Sequence, residues 1–227
     1  MLAYILNIET ATKNCSVALA KEGKTIFYRE IAELGYSHAE RLHVFIEECM
    51  QESQLNFKDL SAIAVSQGPG SYTGLRIGVS AAKGLSFALD IPLISIDTLE
   101  VLSSQLTITE GIIVPVIDAR RMEVYSAVFD CNNNKIREVQ AQIIDENSFK
   151  NSQETIHFVG DCLEKIKSVL SHSNFIFHED IVHPSAQQMS VLSYQKWIAT
   201  DFEDVAYFEP YYLKDFLITT PKSATPK

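Results

Sequence analysis

Tyr4-Ile5-Leu6-Asn7-Ile8-Glu9 is a run of β-favouring residues that ends on an acid, and Cys15-Ser16-Val17-Ala18-Leu19 resumes the pattern after a polar turn. A third run, Thr25-Ile26-Phe27-Tyr28, follows Lys21-Glu22-Gly23-Lys24, whose composition predicts a hairpin link. The three runs read as a meander. The opening pair returns 109 residues later, where Ile117-Asp118 followed by Ala127-Val128 repeats Ile8-Glu9 followed by Ala18-Leu19. Two short hairpins can resemble one another by chance. The sharper reading is duplication: two βββαβα units, each opened by an acid-bearing hairpin, meeting near residue 105. That makes the chain α/β with mixed sheets.

The interval between the hairpins fits such a unit. Ser37-His38-Ala39-Glu40 is a capping box, and Leu42, Phe45, Ile46 and Cys49 continue at helical spacing, with Glu40, Glu47 and Gln51 on the opposite face. Ser61-Ala62-Ile63-Ala64-Val65-Ser66 reads as a buried parallel strand that feeds Gln67-Gly68-Pro69-Gly70. Ser71 can cap a helix running to about Leu89, where Asp90-Ile91-Pro92 stops it. A strand over Leu93 to Ile96, a short helix after Asp97 and a strand-rich block over Ile112 to Gln140 follow.

Composition narrows the functional classes. With 227 residues and 46% hydrophobic content the chain can bury a sizeable core. Apolar runs such as Ile112-Ile113-Val114-Pro115-Val116-Ile117 fall far short of the roughly 20 residues that span a bilayer. No basic residue precedes Lys13, so a secretory signal is not expected and the location is read as cytoplasmic. Cys15, Cys49, Cys131 and Cys162 form no CxxC pair, which argues against a zinc knuckle or a disulfide framework. A net charge of −10 opposes unaided binding to a nucleic-acid backbone, so any RNA connection is expected to be indirect.

Gly70, Gly74, Gly78 and Ala82 place a small residue at every fourth position, one nearly smooth stripe along a helix. A helix-interior glycine costs about 1 kcal/mol relative to alanine, so the stripe needs an offsetting close contact. Three readings stay open: seating on the chain's own sheet, packing against another molecule, or a phosphate loop. The last is weakened because Gly68-Pro69-Gly70-Ser71 lacks the P-loop lysine.

Gly68-Pro69-Gly70-Ser71-Tyr72-Thr73-Gly74-Leu75-Arg76-Ile77-Gly78 closely resembles the signature of the TsaB (YeaZ) family. Asp97-Thr98-Leu99-Glu100, Ile117 to Tyr125 and Pro210-Tyr211-Tyr212-Leu213 resemble its later motifs, so the likeness runs from residue 4 to about 215. The resemblance implies two tandem actin-like (ASKHA, RNase H-like) subdomains, over 1–105 and 106–215, with 216–227 a flexible tail. It implies a non-catalytic cytoplasmic partner of TsaD, the transferase that forms threonylcarbamoyladenosine at adenosine 37 of tRNA, with TsaE as a third subunit and a homodimer when alone. The interface would then comprise His38, Leu42, Tyr72, Gly74, Arg76, Gly78 and Ala82. A vestigial nucleotide site would hold Glu9, Thr10 and Asp118, without an intrinsic cofactor, ATP or ADP binding only at a composite site. Glu9 is longer than the usual Asp, and the following turn Thr10-Ala11-Thr12-Lys13-Asn14 contains no glycine to approach a phosphate. No HxxxH metal motif is present: His38 and His43 are five apart, about 140° around a helix. A metalloprotease or a small-molecule kinase of the same fold are the alternatives.

Overall fold

The computed structural model describes residues 2–32 and 38–214. β1 (Tyr4–Glu9), β2 (Asn14–Lys21) and β3 (Lys24–Ala32) form the expected meander. The link between β2 and β3 holds Glu22 and Gly23 at φ of 50° and 79°, the left-handed backbone that a two-residue hairpin demands. α1 (His38–Ser53) buries Leu42, Phe45, Ile46, Cys49 and Met50, and Glu40, Glu47 and Gln51 are exposed. Ser37, the expected cap, and the tail 216–227 lie outside the described residues. β4 (Ala62–Gly68) runs parallel to β1 and leads into α2 (Tyr72–Leu89). Ser71 caps α2 as expected, its Oγ accepting from Gly74 N at 3.3 Å. β5 (Leu93–Asp97) and α3 (Thr98–Ser103) complete the first unit.

The second unit is built from β6 (Ile112–Asp118), β7 (Glu123–Asp130), β8 (Lys135–Ile143), β9 (Ile156–Gly160), α4 (Leu163–Lys167) and β10 (Phe175–Phe177). Read from its hairpin edge, its sheet order, β8-β7-β6-β9-β10, repeats the first sheet, β3-β2-β1-β4-β5, strand for strand. In each, an antiparallel hairpin is followed by parallel strands, and Glu9 and Asp118 end the equivalent strands β1 and β6.

Two features depart from a plain duplication. Between β8 and β9, where the repeat calls for a helix, residues 144–155 make only turns and bends. There Asp145 Oδ1 accepts from Asn147 N at 3.0 Å and Ser148 Oγ from Asp145 N at 3.0 Å, local bonds that compete with helical ones. The other departure is α5 (Ala186–Ile198), which belongs by packing to the first sheet and not to a second subdomain over 106–215. Ala18, Ala62 and Ala64 leave one face of that sheet nearly flat, and Ala186 and Met189 of α5 pack on it with Ile5, Ile94 and Ile96. The chain then straps across the same half, where Phe208 enters its core and Tyr211 N donates to Gln67 O at 2.7 Å. Large side chains line the opposite face of the first sheet, where Leu6, Ile8, Val17, Leu19, Ile63 and Val65 meet α1 and α2. The alternation along each strand thus assigns helices to both faces.

α3 joins the halves, since its Leu99 and Leu102 pack with Ile113, Ile117, Phe129 and Val159 of the second sheet. Asp97 has two tasks at this joint. Its Oδ1 caps α3, accepting from Leu99 N at 2.8 Å, and its Oδ2 accepts from Lys135 Nζ of β8 at 2.6 Å. The carboxylate is 7% exposed, so losing it removes a cap and strands a half-buried lysine. Asp97→Ala is expected to cost about 2–3 kcal/mol, lowering Tm by about 4–10 °C, whereas Asp97→Asn keeps the cap and costs about half as much; calorimetry of both variants checks the split.

Candidate partner-binding surface

The small-residue stripe faces inward. Gly74 and Gly78 are buried on α2, and a Cβ at Gly74 would lie 2.1 Å from Thr10 O, one at Gly78 2.2 Å from Thr10 Oγ1 and one at Gly70 2.3 Å from Ala11 O. Thr10 Oγ1 donates to Gly74 O at 2.8 Å, and Ser71 N to Ala11 O at 2.6 Å. The stripe therefore seats α2 on the β1–β2 turn of its own sheet. Ala82 is fully buried beneath it. On α1, Leu42 is fully buried, and His38 is buried with Nε2 2.7 Å from Thr12 O. Five of the seven residues expected at an interface, His38, Leu42, Gly74, Gly78 and Ala82, are thus internal, because each sits on the face its helix turns to the sheet. Tyr72 and Arg76 remain at the surface: the Arg76 guanidinium lies 4.3 Å over the Tyr72 ring, and the Tyr212 ring lies against Tyr72 at 4.8 Å between centroids, tilted by 37°. Arg76 Nε also donates to Tyr212 Oη at 3.3 Å.

What α1 and α2 turn outward is an open, mostly apolar groove. Ala39 and His43 of α1 face Arg76, Ile77, Ala81, Gly84 and Leu85 of α2 across it. His43 thus lines the exterior while His38 is interior, so the two histidines do not converge on one ion. Gly84 is the residue that stripe reasoning missed. It is exposed, and a Cβ there would meet nothing within 4 Å among the described residues. Its signal in the sequence is that it breaks the four-residue register of the stripe. Phe87, one turn of α2 beyond Lys83, is 82% exposed, and Lys83 Nζ holds the strap by donating to Phe208 O at 2.8 Å.

The two acid-bearing turns have diverged. Glu9 is fully buried, and its Oε1 accepts from Ala11 N at 2.5 Å. Desolvation pushes its pKa up to about 7, and the Ala11 bond offsets this only in part. Thr10 is buried with it under α2. Asp118 is exposed instead, pairs with Lys165 Nζ, and accepts from Arg120 N at 2.9 Å. Asp161, after β9, accepts from Asp118 N at 2.8 Å, and burial raises its pKa. The three residues of the expected nucleotide site are therefore not gathered around one cavity: Glu9 and Thr10 are sealed under a helix, and Asp118 is at the surface. Among the described residues no cluster of three or more His, Cys, Asp or Glu side chains could hold a metal ion, and no helix is long and apolar enough to cross a membrane.

Comparison with known proteins gives concordant likenesses. The family model described as "TsaD: tRNA N6-adenosine threonylcarbamoyltransferase" matches residues 32–217. The tRNA threonylcarbamoyladenosine biosynthesis protein TsaB of Bacillus subtilis is 32% identical over 179 residues, 79% of this chain and 72% of that one. TsaB of Escherichia coli is 29% identical over 93% of this chain and 94% of its own length. YeaZ from Pseudomonas aeruginosa has the same fold, with a TM-score of 0.80 over 93% of this chain and 100% of that chain at 24% identity.

The glycines on α2 should separate by substitution. Gly78→Ala is expected to destabilise the fold by more than about 2 kcal/mol through the clash with Thr10, whereas Gly84→Ala should stabilise it by about 0.5–1 kcal/mol; denaturant titration distinguishes them. Glu9 sets a pH dependence. Its folded pKa lies above the unfolded value, so the folded state holds the extra proton between about pH 4.5 and 7 and stability falls as pH rises through that window, by about 2–4 kcal/mol. Glu9→Gln should flatten that slope and be the more stable protein at pH 8.

Proposed function

The chain belongs to the TsaB family of tRNA threonylcarbamoyladenosine biosynthesis proteins, and on that premise we propose that it serves the pathway as a non-catalytic scaffold docking on TsaD. The observation that carries the reading is the exposed α1–α2 face with Gly84 in it. An exposed glycine in a helix interior forfeits about 1 kcal/mol, and nothing among the described residues recovers it. A second helix backbone crossing there would. The apolar groove around it, with Arg76 and Tyr72 in its lining and the exposed Phe87 further along α2, has the composition of an interface core with aromatic and arginine anchors.

The family model named for the transferase spans α1 and α2 of this chain, so a transferase of that family carries an equivalent helix pair. Two such pairs face to face bury both apolar grooves in a four-helix bundle. The same face would join two copies of this chain when no TsaD is present. TsaE would complete the assembly, and ATP or ADP would bind only where subunits meet. The non-catalytic reading is supported by Glu9: in actin-like ATPases an acid at this position holds metal-bound water, and here it is sealed from solvent and raised to about 7. The charge of −10 assigns bulk affinity for tRNA to the other subunits.

Gly84→Arg places a long cation at the centre of the groove while leaving the interior untouched. We expect thermal stability equal to or slightly above that of the native chain, at least about 30-fold weaker association with TsaD and loss of threonylcarbamoyladenosine from tRNA when the variant replaces the native chain. Stoichiometric co-purification of Gly84→Arg with TsaD would overturn the docking surface.

A further inference from the structure

The β6–β7 turn holds two consecutive non-glycine residues in the left-handed region, Arg120 at φ 69° and Arg121 at φ 53°. A left-handed backbone costs a residue with a Cβ about 1 kcal/mol or more, and paired positive φ values are the pattern that Asn-Gly supplies most cheaply. Both arginines are exposed. The acids beside them are taken, Asp118 by Lys165 and Glu123 by Lys214, so neither guanidinium has an ion-pair partner among the described residues. Four cations, two on the turn and two reaching it from elsewhere, therefore gather around Asp118 and Glu123, with the mostly buried Asp161 behind Asp118, on a chain whose net charge is −10. The turn closes at the carboxyl end of β6, beside the end of its parallel neighbour β9, the edge of an α/β sheet where ligands gather.

Strain, exposure and unpaired positive charge have no use inside this fold, and each suits an anion arriving from outside. We propose that Arg120 and Arg121, the two cations of the cluster left without an ion-pair partner among the described residues, form a contact for a backbone phosphate of RNA. Two adjacent guanidiniums can grip a phosphodiester through paired N–H donors, which a lysine cannot do. On a chain this acidic the contact supplies register and orientation, not bulk affinity. The inference rests on the proposed function only for RNA as the source of the phosphate, and its test uses the chain alone, so failure of TsaD docking leaves the result readable.

The test is a backbone-amide NMR titration of the full chain at low ionic strength, with a tRNA anticodon stem-loop and, separately, with ATP. Arg120→Asn with Arg121→Gly removes both charges and fits the turn better, so its Tm should rise by about 2–4 °C. The stem-loop should shift the amides of residues 119–123 and Lys214 in the native chain, and bind the double variant about tenfold more weakly. Arg121→Gly alone should lose part of that affinity while relieving half of the strain. Stem-loop binding that the double variant leaves unchanged, perturbation confined to other surfaces, or a response of this turn to ATP but not to RNA would each overturn the proposal.

Discussion

The close approach of the α2 backbone to the β1–β2 turn is the constraint on which the rest of the first half depends. Three glycines on successive turns of the chain let Thr10 and Ala11 come within hydrogen-bonding distance of the helix and of Ser71 at its cap. Any side chain there would push α2 off the sheet by more than an ångström. With α2 seated, its inward residues Val79 and Ala82 reach the strands, α1 packs beside it, and both helices turn their remaining apolar residues out together. The groove is thus a by-product of a tight interior contact, and its outline is fixed by that contact.

Duplication gives two halves of the same strand order, but packing divides the labour between them. The first sheet is covered on both faces, by α1 and α2 on one side and α5 on the other, so its helices form a rigid platform. The second sheet has no helix between β8 and β9 and borrows α3 from the first half to cover one face. Asp97 fastens that borrowing, because one carboxylate both starts α3 and holds Lys135 of the other sheet.

The two strand-end acids show how far duplicated positions have separated. Burial beneath α2 turns Glu9 into a structural group that holds a proton near neutrality. Asp118 stays in water and is neutralised by Lys165. Around it the strained arginine turn concentrates positive charge that the fold itself does not use. Burial on one side and exposure on the other leave a sealed turn in the first half and an open, basic turn in the second.

Much of the architecture was legible in the sequence, because strand alternation, turn residues and caps act over a few neighbouring residues. The meander, the repeat Ile8-Glu9 with Ile117-Asp118, the cap at Ser71, the short helix after Asp97 and the stop after Leu89 all stand in the structure. The four-residue period of Gly70, Gly74, Gly78 and Ala82 determined that something packs closely on α2. It could not determine what, since an internal turn and a foreign helix ask the same of a glycine. Only the tertiary structure decided that Thr10 and Ala11 fill the stripe, that Gly84 is the glycine left open, and that α5 returns to the first sheet. Those outcomes depend on which residues distant in the chain come to share a surface, and local periodicity carries no record of the neighbour's identity.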